Sequence, residues 1–249
     1  MNHFFLIIIT GFAAGAINAI AGGGSFITFP ALVYAGLPPI NANASSTVAL
    51  IPGAAAGTIV YKEHLKPFAK VSWLAMILLT LLGGATGSWL LLYTPSSAFN
   101  AIVPWLLLTS AITFAFGARA GNLLRKRVNI GPEMVYVGQL LLGVYGGYFG
   151  GAVGIMMMAV WTIFGITDIK LMTANRTFFV FLANGVAVLL FMISGKVIWP
   201  QTLAMMFSSI AGGYLGALFS KKLDPVKLRY GIVVFNFLIT ALFFYRMFW

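Results

Sequence analysis

The chain is a series of apolar stretches separated by short polar or basic breaks. The stretches run from Phe4 to Ala21, Phe26 to Leu37, Ala44 to Tyr61, Val71 to Tyr93 and Ala98 to Ala118. A second set runs from Met134 to Phe149, Ile155 to Ile166, Thr173 to Ser194, Ile198 to Phe219 and Val226 to Phe248. A helix needs roughly 20 apolar residues to cross a hydrocarbon core of about 30 Å. Phe26 to Leu37 and Ile155 to Ile166 are too short to span on their own, and each follows a glycine cluster, AGGGS at 21–25 and GGAVG at 150–154. The pattern predicts a broken helix or a re-entrant hairpin at each place. Such backbone is tolerated at membrane depth only where protein or a water-filled cavity satisfies the freed N–H and C=O groups.

The two sets of five resemble one another. Gly11 and Gly15, the first cluster, Gly36 and ASST at 44–47 are echoed by Gly143 and Gly147, the second cluster, Gly165 and ANRT at 174–177. GGATG at 83–87 is echoed by GGYLG at 212–216. The matches fall at an offset of about 130 residues, which predicts an internal duplication: residues 1–120 as a first transmembrane repeat, 121–132 as a basic cytoplasmic linker, and 133–249 as a second repeat.

Composition agrees with a membrane protein. The chain is 61% hydrophobic and 8% charged, against about 25% charged in soluble domains, so it has too few charges to cover a water-facing surface. The net charge of +11 would suggest a nucleic-acid partner in a soluble protein, but here its placement carries the information. If each half begins with a hairpin that returns to its starting side, one side receives Lys62, Lys66, Lys70, Arg119, Arg125, Lys126, Arg127, Lys170, Lys221, Lys222, Lys227 and Arg229. The other side receives Lys196 and Arg246. Treating each glycine-broken pair as one kinked span divides the same residues nine against five. The positive-inside rule favours the first arrangement, with basic loops cytoplasmic and both termini outside. Each half then crosses an odd number of times, so the second is inserted upside down. The expected fold is an all-α polytopic membrane protein of two inverted repeats, each a glycine-broken hairpin plus three transmembrane helices, with eight to ten membrane segments. Inverted repeats are typical of secondary transporters.

Candidate chemistry is sparse. Zero cysteines exclude disulfides, thiolate metal sites and cysteine nucleophiles. No metalloprotease, nucleophile-elbow or phosphate-loop motif is present, so neither an enzyme nor a metal or cofactor is expected. The carboxylates Glu63, Glu133, Asp168 and Asp224 fall in or beside predicted loops, which argues against an acidic cation pathway or proton relay. Arg176 stands out at the start of an otherwise apolar span, in TANRTFFVFLANG. It would either meet a substrate or snorkel to the headgroups.

The glycine clusters carry a second argument. Interrupting a helix exposes unpaired N–H groups and roughly half a positive charge at the start of the next half-helix. Two such ends, near Ser25 and Ile155, would suit a small anion near the midplane. Gly22, Gly23, Gly24, Ser25, Gly151 and Gly154 are the candidate cradle, with close helix packing as the other reading. For Gly11, Gly15, Gly83, Gly87, Gly212 and Gly216, packing is the better reading. Asn18, Ser45, Ser46, Thr47, Asn175 and Thr177 would add polar groups without a carboxylate to repel an anion.

The runs GFAAGAINAIAGGGSFITFPALVYAGLPPINANASST and GVYGGYFGGAVGIMMM, then FGITDIKLMTANRT, resemble the TauE/SafE family of sulfite exporters and membrane permeases over nearly the whole length. The resemblance implies a bacterial inner-membrane protein moving sulfite, thiosulfate or sulfonates. The expected partners are the bilayer and a small anion, and the glycine-rich helix faces could pack within the monomer or between the protomers of a homodimer. Family members often carry an acid before the first cluster where this chain has Asn18, so proton coupling through that acid is not implied here. An anion channel built from the same parts is the alternative, with an intramembrane enzyme a more distant one because no nucleophile and base pair is visible within the spans.

Overall fold

The computed structural model describes residues 2–20, 23–128, 130–219 and 225–248. Ten α-helices follow the apolar stretches closely: α1 (Asn2–Ile20), α2 (Ser25–Tyr34), α3 (Pro39–Val60), α4 (Trp73–Tyr93) and α5 (Ser96–Arg125) form the first set. α6 (Pro132–Tyr148), α7 (Val153–Phe164), α8 (Ile169–Ile193), α9 (Trp199–Phe219) and α10 (Pro225–Phe248) form the second. A 3₁₀ turn, Lys62–His64, follows α3. The chain is an all-α polytopic membrane protein. Among the described residues α4, α5 and α8 are long and apolar enough to cross a bilayer by length and composition. α2 and α7, with 10 and 12 residues, reach only about 15 and 18 Å at 1.5 Å per residue.

Local chemistry sets several boundaries. Pro39 opens α3 at a position where a missing N–H costs nothing. Ser72 caps α4, its Oγ accepting from the N–H of Ala75 at 3.3 Å. Asp168 caps α8, accepting from the N–H groups of Lys170 and Leu171 at 2.9 and 3.1 Å. The half-helices α2 and α7 end alike, with Leu37 N–H on the Leu32 carbonyl and Ile166 N–H on the Trp161 carbonyl. Both are Schellman closures. α8 starts four residues before the apolar stretch does, because the Asp168 cap extends it, and this moves Arg176 into the helix.

Helices of one half pack on helices of the other. α1 lies on α9 and α4 on α6, while α3 packs on α8 and α9, α4 on α8, and α5 on α7 and α10. Exchanging the first five helices for the second five turns α1 on α9 into α6 on α4, and α3 on α9 into α8 on α4. The pairs α3/α8 and α5/α10 map onto themselves.

Both exchanged crossings are built from the repeated glycines. A β-carbon on Gly15 would strike the Ser209 carbonyl, one on Gly212 the Phe12 carbonyl, and one on Gly216 would stand 2.6 Å from Ala16 Cα. In the other crossing, Gly87 meets the Val144 carbonyl, Gly147 the Gly84 carbonyl, and Gly83 would stand 2.8 Å from Gly143 Cα. In lipid no hydrophobic gain separates one apolar surface from another, so backbone approach through small residues is a main source of helix association. Between α4 and α6, Gln139 also donates to Thr80 Oγ1 at 2.8 Å.

Two large apolar clusters form around the half-helices. Phe29 and Leu32 of α2 sit in one, and Val153, Met157 and Trp161 of α7 in the other. A third, small cluster holds Phe26 and Ala152.

Candidate functional site

The two interruptions differ in detail. In the first, α1 stops at Ile20 and α2 begins at Ser25, with Gly23 at φ +94°. In the second, α6 stops at Tyr148 and α7 begins at Val153, with Gly150 at φ +79° and Ala152 at φ +56°. Glycine occupies such left-handed backbone freely, whereas an alanine there costs roughly 1–2 kcal/mol.

Side chains take up part of the freed backbone. The Gly24 N–H donates to Asn18 Oδ1 at 3.4 Å, and Asn43 Nδ2 donates to the Tyr148 carbonyl at 3.1 Å. Ser110 Oγ donates to the Gly151 carbonyl at 3.1 Å and lies 2.5 Å from the Tyr145 hydroxyl. Because the Ser110 proton is used on Gly151, Tyr145 is the donor in that second bond. Protein thus satisfies these groups, as unpaired backbone at membrane depth requires.

The two interruptions approach one another. Phe26, one residue into α2, shares a buried cluster with Ala152 of the second interruption, Phe114 of α5 and Ile232 of α10. The Phe26 and Phe114 rings meet edge to face at 5.7 Å, and a β-carbon on Gly23 would contact both. Among the described residues, the backbone N–H groups of Ser25 and Gly154 have no hydrogen-bond acceptor. These are the first turns of the two half-helices, where the positive ends of the helix dipoles lie.

Arg176 joins the second of these ends. Its stem crosses Gly154, where a β-carbon would stand 2.8 Å from Arg176 Cγ and 3.0 Å from Cδ. It lies seven residues into α8, about 10 Å from that helix's start, and is half-buried. None of the hydrogen bonds among the described residues involves its guanidinium, and the four acids are elsewhere in the sequence.

The remaining predicted residues have other partners. Ser45 Oγ accepts from the Ile198 N–H at 3.0 Å. Ser46 Oγ pairs with Thr28 Oγ1 at 2.6 Å, and Thr28 reaches the Gly24 carbonyl at 3.2 Å. Thr47 bonds the Asn43 carbonyl and Thr177 the Ala174 carbonyl, each at 2.9 Å. Asn175 donates to the carbonyls of Lys66 (2.9 Å) and Leu171 (3.0 Å) and accepts from Trp73 Nε1 (3.1 Å). Gly24 is packed against α1, since a β-carbon there would stand 2.8 Å from the Ala14 carbonyl oxygen. Gly151 is similarly close to Ser110 Oγ, at 2.7 Å. Gly22 lies outside the described residues.

Several contributors escaped sequence reasoning. Gly53 and Gly57 of α3 border the site: a β-carbon on Gly53 would be 3.8 Å from Asn18 Nδ2, and one on Gly57 3.5 Å from Thr177 Cγ2. Their GxxxG spacing was a readable signal. Asn43, Ser110 and Tyr145 gave none, because what singles them out is the carbonyl or hydroxyl they reach in a distant helix. An open cavity of about 450 Å³ lies at the other end of α2, lined by Val33, Pro39, Ser97, Asn100, Val103 and Phe243.

Ten helices among the described residues, with two interruptions brought together in the interior, make a polytopic membrane protein. The chain belongs to the TauE/SafE family: residues 7–243 match the family described as "Sulfite exporter TauE/SafE", which makes it a membrane transporter of that family. It is 30% identical to a Haemophilus influenzae protein named "Probable membrane transporter protein", over 98% of this chain and 95% of that one. It is 28% identical to the Escherichia coli "Probable membrane transporter protein YfcA", over 97% of this chain and 88% of the relative. A Bacillus subtilis "Probable membrane transporter protein YunE" is 24% identical, over 89% and 90% of the two chains.

Proposed function

We propose that this protein is a secondary transporter of a small sulfur-containing anion, of the sulfite, thiosulfate or sulfonate class, in the bacterial inner membrane. The anion binds between the two half-helix starts. The observation that carries this reading is Arg176: a guanidinium two turns inside an apolar helix, laid over Gly154 and without an acidic partner among the described residues. A fixed charge in that position is expensive unless a counter-charge or water meets it. An anion supplies the counter-charge, and the free N–H of Gly154 beside it adds a donor. Ser25 is the matching donor of the first half. Ser45 and Asn175 serve instead to hold the loops before α9 and α4.

The halves are inserted in opposite senses, with the basic loops cytoplasmic and both termini outside, on the strength of the lysine and arginine distribution. The 450 Å³ cavity beside Val33 and Phe243 supports an access route from the side where α2 ends. Alternating exposure of the site to the two sides then moves the anion.

The test is flux into proteoliposomes of sulfite, thiosulfate, sulfate and a short sulfonate, with and without a proton gradient. Saturable uptake with counterflow is expected, and Arg176→Gln should lower it at least tenfold while the protein still inserts. Ohmic single-channel currents would establish a channel instead. Normal flux in Arg176→Gln would move the arginine to the headgroup region and leave the site to backbone dipoles.

A further inference from the structure

α10 carries a polar residue that the bundle does not account for. Asn236 is 3% exposed, and neither its Oδ1 nor its Nδ2 has a hydrogen-bond partner among the described residues. Thr240 bonds its backbone carbonyl at 2.7 Å, but nothing engages the carboxamide. A buried amide group left without a partner costs about 1–3 kcal/mol, and a leucine of similar size would avoid that cost. Trp161 Nε1 is also unpartnered, yet the rings of Phe68 and Phe179 enclose it at 4.9 and 5.9 Å, where an N–H can point at a π face. Asn236 has no such explanation.

Its depth can be read from the packing of α10 on α5. Ile232 shares a cluster with Phe114, and Phe244 meets Trp105 edge to face at 5.0 Å, so the two helices run antiparallel. Asn236 lies one third of the way from position 232 to 244, which places it opposite position 111 of α5. The neighbouring Ser110 holds the Gly151 carbonyl of the second interruption. The cluster one turn below contains Phe26 and Ala152, one from each interruption. The free amide therefore sits at the depth where the two interruptions meet.

We propose that the carboxamide of Asn236 is a direct hydrogen-bonding contact of the transported anion, its Nδ2–H groups donating to the anion's oxygens. This rests on the anion reading above and extends the binding site from α2, α7 and α8 to a fourth element, α10. A neutral donor suits the role: it recognises an oxyanion without adding a second fixed charge that would hold it too tightly to leave.

Two variants test this in proteoliposomes, with sulfite as the probe and melting in detergent as a second measurement. Asn236→Leu removes the unpartnered amide, so it should melt at a higher temperature than the parent while the KM for sulfite rises at least tenfold. Asn236→Asp keeps the shape and adds a negative charge, and it should lose uptake. A leucine variant with unchanged KM overturns the proposal whatever its stability, and it decides the matter even if the aspartate variant does not fold. The parent and Arg176→Gln separate this from the wider reading. If the parent moves sulfite and Arg176→Gln does not, but Asn236→Leu is normal, only the Asn236 contact falls. If the parent moves none of sulfite, thiosulfate, sulfate or a sulfonate, the anion site and the Asn236 contact fall together.

Discussion

Asn175 donates from Nδ2 to the carbonyl of Lys66 at 2.9 Å, tying the loop before α4 to the middle of the bundle. The carbonyl of Lys196, 130 positions further on and in the loop before α9, accepts from Asn41 at 2.8 Å. Each of the two loops is thus anchored by an asparagine amide donating to a lysine carbonyl. If the halves are inverted, these two lysines face opposite sides of the membrane. The chain has no cysteine, so single replacements report without interference. Lys196→Cys should react with a membrane-impermeant maleimide in intact cells, and Lys66→Cys only after the inner face is opened. Equal labelling of both from outside would contradict the inverted arrangement.

Asn175 uses both amide protons and its oxygen inside the protein, which leaves it nothing to offer a substrate. Asn175→Leu strands the Trp73 indole and the Lys66 carbonyl, at about 1–3 kcal/mol for each group left unpaired. The expected result is a clear drop in melting temperature, with KM unchanged in the protein that remains folded. A raised KM at normal stability would return Asn175 to the binding site.

The glycines divide by what surrounds them. Gly87→Ala pushes a methyl group into the Val144 carbonyl, and neither helix backbone can give way easily, so a loss of about 1–3 kcal/mol or more is expected. Gly185 in α8 has nothing within 4 Å of a would-be β-carbon. Gly185→Ala should therefore be neutral or stabilising by up to about 1 kcal/mol, from helix propensity. Paired thermal unfolding measurements in the same detergent check both signs.

Ala152 adopts a conformation that suits glycine, at φ +56°. Ala152→Gly should stabilise the fold by up to about 1 kcal/mol by relieving that strain, offset in part by the freedom glycine gains when unfolded. Strained residues gather at functional sites, so the informative companion measurement is uptake. A stabilised variant with slower transport would show that the strain at the second interruption is used during the cycle.

Much of the fold was legible in the sequence, because a bilayer restricts the choices. Apolar runs of spanning length have to be helices, and the boundaries of α2, α4, α7 and α9 fall within two or three residues of where the pattern ends. The glycines in both crossings were legible as packing residues, since their i, i+4 spacing makes a flat helix face. What the pattern could not give was partnership. Nothing in the sequence says that Gly15 meets Ser209 rather than a helix of its own half, or that Ser45 caps the loop before α9. The same gap affects the site: serine, threonine and asparagine near the interruptions look alike in sequence, and only their bonding in space separates Asn175 from Asn236. For Arg176 the sequence left a substrate role and an interfacial one open, because the apolar stretch begins at Thr173, whereas the Asp168 cap starts the helix a turn earlier.

The interlocking of α1 with α9 and of α4 with α6 bears on how the chain is made. Gly87 and Gly147 are 60 positions apart, but Gly15 and Gly212 are separated by 197. At about 5–20 residues per second of synthesis, α6 emerges several seconds after α4, while α1 waits roughly 10–40 seconds for its partner. Throughout that wait its glycine face must rest against lipid or a helper protein. A nascent chain stopped before α9 would be a target for quality control, and the last quarter of the protein decides whether the first helix stays.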